Sequence, residues 1–277
     1  MKKFHKVAIV GTGLIGGSIG LSLKKKKLSL TVVGTSRHKK NLLLAKQRGA
    51  IDRGSQSLDI VKGADLVILA TPVNAIMNLA PAISKIISRD CIVIDVGSTK
   101  NEIVGRLEKF FPKFVGTHPL AGSEKRSIAY AKQDIFKDSL CILTPSGKTN
   151  RKALNLIKIF WENLGAKTVL MSPGAHDKIL SFVSHLPHAV AFSLISAMPD
   201  EYLKFASTGL KDTTRIASSD SELWADILLS NRVNILRALA LLQNKLTLIS
   251  KAIRKKDRRQ LLKILKRAKQ KRDTLNS

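Results

Sequence analysis

The sequence predicts an α/β fold, with a doubly wound parallel sheet over residues 1–171 and an all-helical domain over residues 172–277. Three observations predict it. Short apolar runs without polar alternation recur through the first part, as they do in strands buried on both faces. Helical spacing of apolar residues separates these runs, which marks crossover units. Beyond Ser172-Pro173-Gly174 only helical spacing remains.

Residues 6–10 are a Val-rich run ending at Gly11, and helical spacing follows from Leu14 to Lys25. Thr31-Val32-Val33 reads as a second strand and Asn41 to Arg48 as a helix. The run Asp65 to Ala70 is closed by Thr71-Pro72, and Cys91 to Val96 and Lys113 to Gly116 continue the series. Leu140–Thr144 and Thr168–Met171 are further strands around a helix at Lys152–Leu164. In the second domain, His176–Met198 and Glu222–Lys266 carry Leu, Ile and Ala at helical spacing. Those long apolar helices have little else to cover them, so a homodimer is expected.

At 277 residues the length suits two domains, and 44% hydrophobic residues suffice for a core. No apolar stretch of about 18 residues is read as free of charge, so no membrane span is expected. The first residues lack the apolar core of a signal peptide. Cys91 and Cys141 sit in apolar runs and read as buried free thiols in a reducing cytoplasm. The net charge of +28 gives a field that attracts polyanions without a dedicated site. Much of it is local: Lys245 to Arg272 holds thirteen Lys/Arg against one acid, Asp257. Aromatics are only 5% and do not interleave with that tail, which argues against base stacking and a specific nucleic-acid partner. Leu261, Leu262, Ile264 and Leu265 make the tail an ordinary amphipathic helix.

Gly11-Thr12-Gly13-Leu14-Ile15-Gly16 fits the dinucleotide-binding fingerprint. It follows a strand and opens a helix, the context that the pattern requires. Gly11 makes the tight turn, Gly13 admits a pyrophosphate, and Gly16 lets helix and strand pack closely. The pyrophosphate then meets the positive helix end, with Thr71 and Pro72 beside it at another strand end. After the second strand, NAD binders usually place an acid for the ribose hydroxyls. Here Ser36 and Arg37 stand in its place, followed by His38 and Lys39. A hydroxyl and a cation suit a 2′-phosphate, so NADP is favoured over NAD. The alternative is that Arg37 and Lys39 only solvate a loop.

Polar residues also cluster where a doubly wound fold places ligands. Asp95-Val96-Gly97-Ser98-Thr99-Lys100 follows one strand, and Gly116-Thr117-His118-Pro119-Leu120-Ala121-Gly122-Ser123-Glu124 the next. A histidine at a strand end suits acid–base chemistry near neutral pH. The helical part adds Ser184 to His188 and Thr208 to Arg215. No residue cluster has metal-ligand spacing, and no metal is expected.

The glycine turn, Asp95–Lys100, Thr117–Gly122 with Glu124, Ser184–His188, and Lys211-Asp212 with Arg215 and Trp224 together resemble the motif series of prephenate/arogenate dehydrogenases. Order and spacing match over roughly residues 5 to 250. The resemblance implies a Rossmann domain followed by a helical dimerisation domain. It implies oxidative decarboxylation of a cyclohexadienol, prephenate or arogenate, on the route to tyrosine. By the same resemblance, His118 takes the ring-hydroxyl proton, Ser98 orients that hydroxyl, and Arg215 binds a substrate carboxylate. His188 and Lys211 line the pocket at the side-chain end, Glu124 sits at its edge, and Trp224 lies near the entrance or the dimer contact. Ser98 also reads as a helix cap, and Trp224 as core. A hydroxyacid dehydrogenase or imine reductase shares the glycine turn, but that reading does not explain His118 and Arg215 together. The sequence leaves prephenate versus arogenate open.

Overall fold

The computed structural model describes residues 4–122 and 127–275. The strands are β1 (Phe4–Val10), β2 (Ser29–Thr35), β3 (Arg53–Ser55), β4 (Leu66–Leu69), β5 (Ile92–Asp95), β6 (Phe114–Pro119), β7 (Leu140–Thr144) and β8 (Lys167–Leu170). They form one sheet in the order β3-β2-β1-β4-β5-β6-β7-β8. The helices between them are α1 (Leu14–Lys25), α2 (Lys39–Gln47), α3 (Val73–Ile86), α4 (Asn101–Leu107) and α5 (Arg151–Leu164). Ile19 and Leu23 of α1, Leu42 and Ala45 of α2, and Ile157 and Trp161 of α5 pack with Val7 and Ile9 of β1. Ile76 and Ile83 of α3 and Ile103 and Leu107 of α4 join Ala8 and Val10 on the opposite face. Alternate β1 residues thus enter two cores, which is why the strand shows no polar face.

Register sets the functional edge. Val10 lies opposite Thr35 and Leu69, Leu69 opposite Asp95, and Asp95 opposite Gly116. The residues just beyond this line leave the sheet together. Strand order reverses between β1 and β4, and such a switch point opens the crevice where doubly wound folds bind ligands.

Two findings refine the expected architecture. The sheet is mostly parallel, but β7 runs antiparallel to β6, and β8 is parallel to β7. Between β6 and β7 the described residues hold only a short 3₁₀ turn, Ile128–Tyr130. A reversal needs no crossover helix, so the apolar runs alone did not reveal it. The second concerns α6 (Pro173–Leu180), a π-helical turn (Ser181–His185) and α7 (Leu186–Ser196). They form 24 continuous residues, and an 18-residue window within them has a mean hydropathy of 1.5, long and apolar enough to cross a membrane by length and composition. The expectation that no such stretch exists is therefore corrected: Ile179–Met198 holds no Asp, Glu, Lys or Arg. Interspersed serines and histidines hid the run, and core helices of ordinary domains meet the same criteria. Its polar residues His176, Asp177, His185 and His188 are all hydrogen-bonded.

The chain forms two compact units that divide between Asn231 and Arg232. The change from strand to helix near residue 171 lies inside the first unit, because later helices pack on the strand ends. Those are α8 (Thr208–Thr214) and α9 (Ser221–Ser230) after α6 and α7. On α9, Asp226 accepts from Asn74 Nδ2 at 2.6 Å, and Ser230 Oγ donates to Thr99 Oγ1 at 3.0 Å. The second unit contains α10 (Arg232–Arg254) and α11 (Arg258–Asp273). Asp257 caps α11 by accepting from Gln260 N at 2.9 Å. Leu241, Leu246, Ile253 and Leu265 of this helix pair are exposed.

Candidate active site

The glycine turn has the geometry that a dinucleotide needs. Gly11 adopts φ +102°, and a Cβ there would lie 2.5 Å from the Ala70 carbonyl oxygen. At Gly16 a Cβ would meet the Gly11 carbonyl oxygen at 2.0 Å. Helix α1 begins at Leu14 and Ile15 after Gly13, and no side chain caps it. Its first amides therefore remain available for an anion. The buried hydroxyls of Thr12 and Thr71 have no partner among the described residues. Uncapped amides, two orphaned hydroxyls and a turn too close for any Cβ fit the pyrophosphate of a nicotinamide dinucleotide. Thr71 and Pro72 follow β4 and lead into α3.

At the end of β2, Ser36 Oγ accepts from His38 N at 3.3 Å. The Arg37 carbonyl accepts from Gln56 Nε2 at 2.7 Å, leaving its guanidinium exposed. No acid occurs between Thr35 and Lys40.

The segment after β5 is built around a buried ion pair. Lys100 Nζ lies 2.6 Å from Asp95 Oδ2, and both side chains are fully buried. Lys100 Nζ also donates to the Gly97 and Thr99 carbonyls, at 2.6 and 3.1 Å. Asp95 Oδ2 accepts from Gly97 N at 2.8 Å. Charges taken out of water require such added partners, and the result is a rigid turn that carries the half-buried Ser98. Ser98 does not cap α4. That helix starts after Lys100 without a cap from its own segment, and Asp177 of α6 accepts from Lys100 N at 2.8 Å and Asn101 N at 2.9 Å.

His118 stands near the carboxyl end of β6, as expected. Its Nδ1 is 2.8 Å from His176 Nε2, and His176 Nδ1 is 2.7 Å from Asp177 Oδ1. Burial holds His118 well below the ordinary imidazole range, reinforced by His176, Lys100 and His185. It is thus neutral at physiological pH, the state that a general base requires.

His185, His188 and Trp224 form a row of ring contacts. The His188 ring stacks on Trp224 with centroids 3.5 Å apart and 18° between planes. His185 meets the Trp224 ring edge-on, at 6.0 Å. Burial lowers the His188 pKa, and the nearby Arg215 charge lowers it further. The structure therefore brings His188 and Trp224 into contact, with Arg215 near enough for its charge to act on His188, and Arg215 is exposed at the start of the 3₁₀ turn after α8. Lys211 on α8 is exposed. Glu124 lies outside the described residues.

Sequence reasoning missed His176 and Asp177, and gave His185 no role beyond its place in the Ser184–His188 run. Adjacent His and Asp beside the helix cap Ser172 was an available signal, but an apolar helix start with one His–Asp pair is common. His185 is 1% exposed; burial pushes it down to about 4. Its Nδ1 faces Asn231 Nδ2 at 3.1 Å, and its Nε2 has no partner among the described residues. Because the amide nitrogen donates to Nδ1, the proton of neutral His185 resides on Nε2, a spare buried donor.

Comparison with known proteins agrees with this geometry. The family model "Prephenate dehydrogenase, nucleotide-binding domain" matches residues 19–170, and "Prephenate dehydrogenase, dimerization domain" matches residues 172–267. Prephenate dehydrogenase of Bacillus subtilis is 36% identical over 280 residues, covering 97% of this chain and 76% of the relative. A crystal structure of prephenate dehydrogenase from A. aeolicus, in complex with hydroxyphenyl propionate and NAD+, superposes with a TM-score of 0.93 at 37% identity, covering 98% of each chain. Synechocystis arogenate dehydrogenase superposes with a TM-score of 0.82 at 28% identity, covering 98% of this chain and 99% of the other.

Proposed function

Because the chain belongs to the prephenate dehydrogenase family, we propose that it oxidatively decarboxylates prephenate or arogenate, giving 4-hydroxyphenylpyruvate or tyrosine. The observation that carries this reading is His118, a neutral histidine held at the same sheet edge as the dinucleotide turn. A bound nicotinamide supplies the hydride acceptor. His118 hydrogen-bonds the ring hydroxyl and takes its proton as hydride leaves that carbon. The ring carboxylate departs as carbon dioxide, and aromatisation drives the step. His118 then returns the proton to the phenolic oxygen, so no net proton is released.

The other residues bind and orient. Ser98 sits on the turn fixed by the Asp95–Lys100 pair and holds the hydroxyl toward His118. Arg215 binds a substrate carboxylate through its planar fork. Trp224 fixes the ring plane of His188, which with Lys211 serves the side-chain end. The net charge of +28 favours capture of such anions.

Ser36 and Arg37, without an acid nearby, favour NADP over NAD. The exposed apolar residues of α10 and α11 support a homodimer built on the helical part. Initial rates of reduced-cofactor formation, with each substrate paired with each cofactor, test the proposal. Turnover of either substrate, fastest with NADP, is expected. No turnover in any pairing by folded protein would overturn it.

A further inference from the structure

His118 receives attention from behind as well as from the substrate side. His176 and Asp177 are both essentially inaccessible, at 0% and 1% exposure. The Asp177 carboxylate accepts from His176 Nδ1 at 2.7 Å, from Lys100 N at 2.8 Å and from Asn101 N at 2.9 Å. Burial alone would push this carboxyl up, but the hydrogen bonds from His176, Asn101 and Lys100 outweigh it and hold it below the usual range. Asp177 is therefore an anion with no proton to give.

That fact fixes every proton in the row. The bond between Asp177 and His176 needs a hydrogen, so it resides on His176 Nδ1. Burial keeps His176 neutral, against Asp177 and Asp95 and with Lys100. A neutral imidazole carries one N–H, so His176 Nε2 offers a lone pair. His118 Nδ1, 2.8 Å away, must then donate to it. The remaining nitrogen of His118, Nε2, is left unprotonated.

We propose that Asp177 and His176 are positioning residues that lock His118 in the Nδ1–H tautomer and so create its Nε2 base. This rests on the reaction assigned to His118 above. When Nε2 takes the hydroxyl proton, the O–H electron pair stays on oxygen. The new imidazolium keeps its Nδ1–H bond to His176, and the Asp177 anion offsets the charge behind it. The same carboxylate caps α4, so it ties the base on β6 to the turn that carries Ser98 through one group.

The tautomer is read directly on wild-type protein labelled with ¹⁵N-histidine, from long-range ¹H–¹⁵N correlations assigned with a His118→Asn variant. The expected spectrum shows His118 protonated at Nδ1 and His176 also at Nδ1. A His118 protonated at Nε2 overturns the proposal. Kinetics give the second arm. His176→Leu removes the acceptor, so kcat should fall about a hundredfold with KM nearly unchanged, the scale of a lost acid–base contribution. His176→Gln restores an acceptor oxygen and should recover kcat to within about tenfold of wild type. Equal loss in both variants, with cofactor affinity intact, would mean that His176 is only a packing residue. The spectrum needs no substrate. A wild type that turns over neither cyclohexadienol would therefore sink the proposed function, while the tautomer would still decide this inference.

Discussion

Lys100 Nζ sits 2.6 Å from the Asp95 carboxylate with no solvent on either side chain. Removing one member leaves an uncompensated charge in the core. Lys100→Met should therefore destabilise the fold by about 3–5 kcal/mol, measured by urea unfolding. Replacing both partners with apolar residues should recover part of that loss, because the stranded charge is gone. A Lys100→Met protein as stable as wild type would show that the pair does not organise the turn.

Arg215 is assigned to a substrate carboxylate. Arg215→Ala should weaken substrate binding by about 1.5–3 kcal/mol, or about ten- to a hundred-fold. Steady-state kinetics would show this as a raised KM. An unchanged KM would remove Arg215 from the carboxylate site.

His118→Asn should depress turnover by about 10²–10⁴-fold. Cofactor affinity, read by fluorescence titration, should stay within about twofold, since the dinucleotide turn is on another strand. Near-normal turnover would exclude His118 from the proton transfer.

Arg37→Asp tests cofactor choice. It should raise KM for NADP by about ten- to a hundred-fold, through a lost charged hydrogen bond, and leave KM for NAD unchanged or lower. Equal effects on both cofactors would place Arg37 on a solvated loop.

Stability should depend on pH through the buried histidines. His118, His176, His185 and His188 are all lowered by burial from 6.5. Above pH 6.5 folded and unfolded chains are both neutral at these sites, so they add no slope. Below it the unfolded chain binds protons that the folded chain refuses, and stability falls as pH drops. For His185, held at about 4 instead of 6.5, the loss reaches about 3 kcal/mol once pH passes below 4. Urea unfolding between pH 7 and pH 4 would show it, and His185→Gln should flatten the slope.

Much of this was legible in the sequence, for identifiable reasons. Gly11 and Gly16 announce themselves because no Cβ fits at either place. His118 stood out as a titratable residue at the end of an apolar run, and Arg215 through the resemblance carried by the Lys211–Arg215 segment. The reversal at β7 was hidden, since an apolar run has no direction written in it. Residues 179–198 were passed over because serine and histidine break the run without charging it. Asp177 escaped for a different reason: its three partners, His176, Lys100 and Asn101, come from two segments that only the fold brings together. Local sequence shows one of those contacts and conceals the other two.

The most direct test of the proposed reaction is its stoichiometry in a single time course. Reduced cofactor, carbon dioxide and aromatic product should appear together in equal amounts when the protein is given prephenate or arogenate with its preferred cofactor. Reduced cofactor formed without carbon dioxide or an aromatic ring would contradict the account.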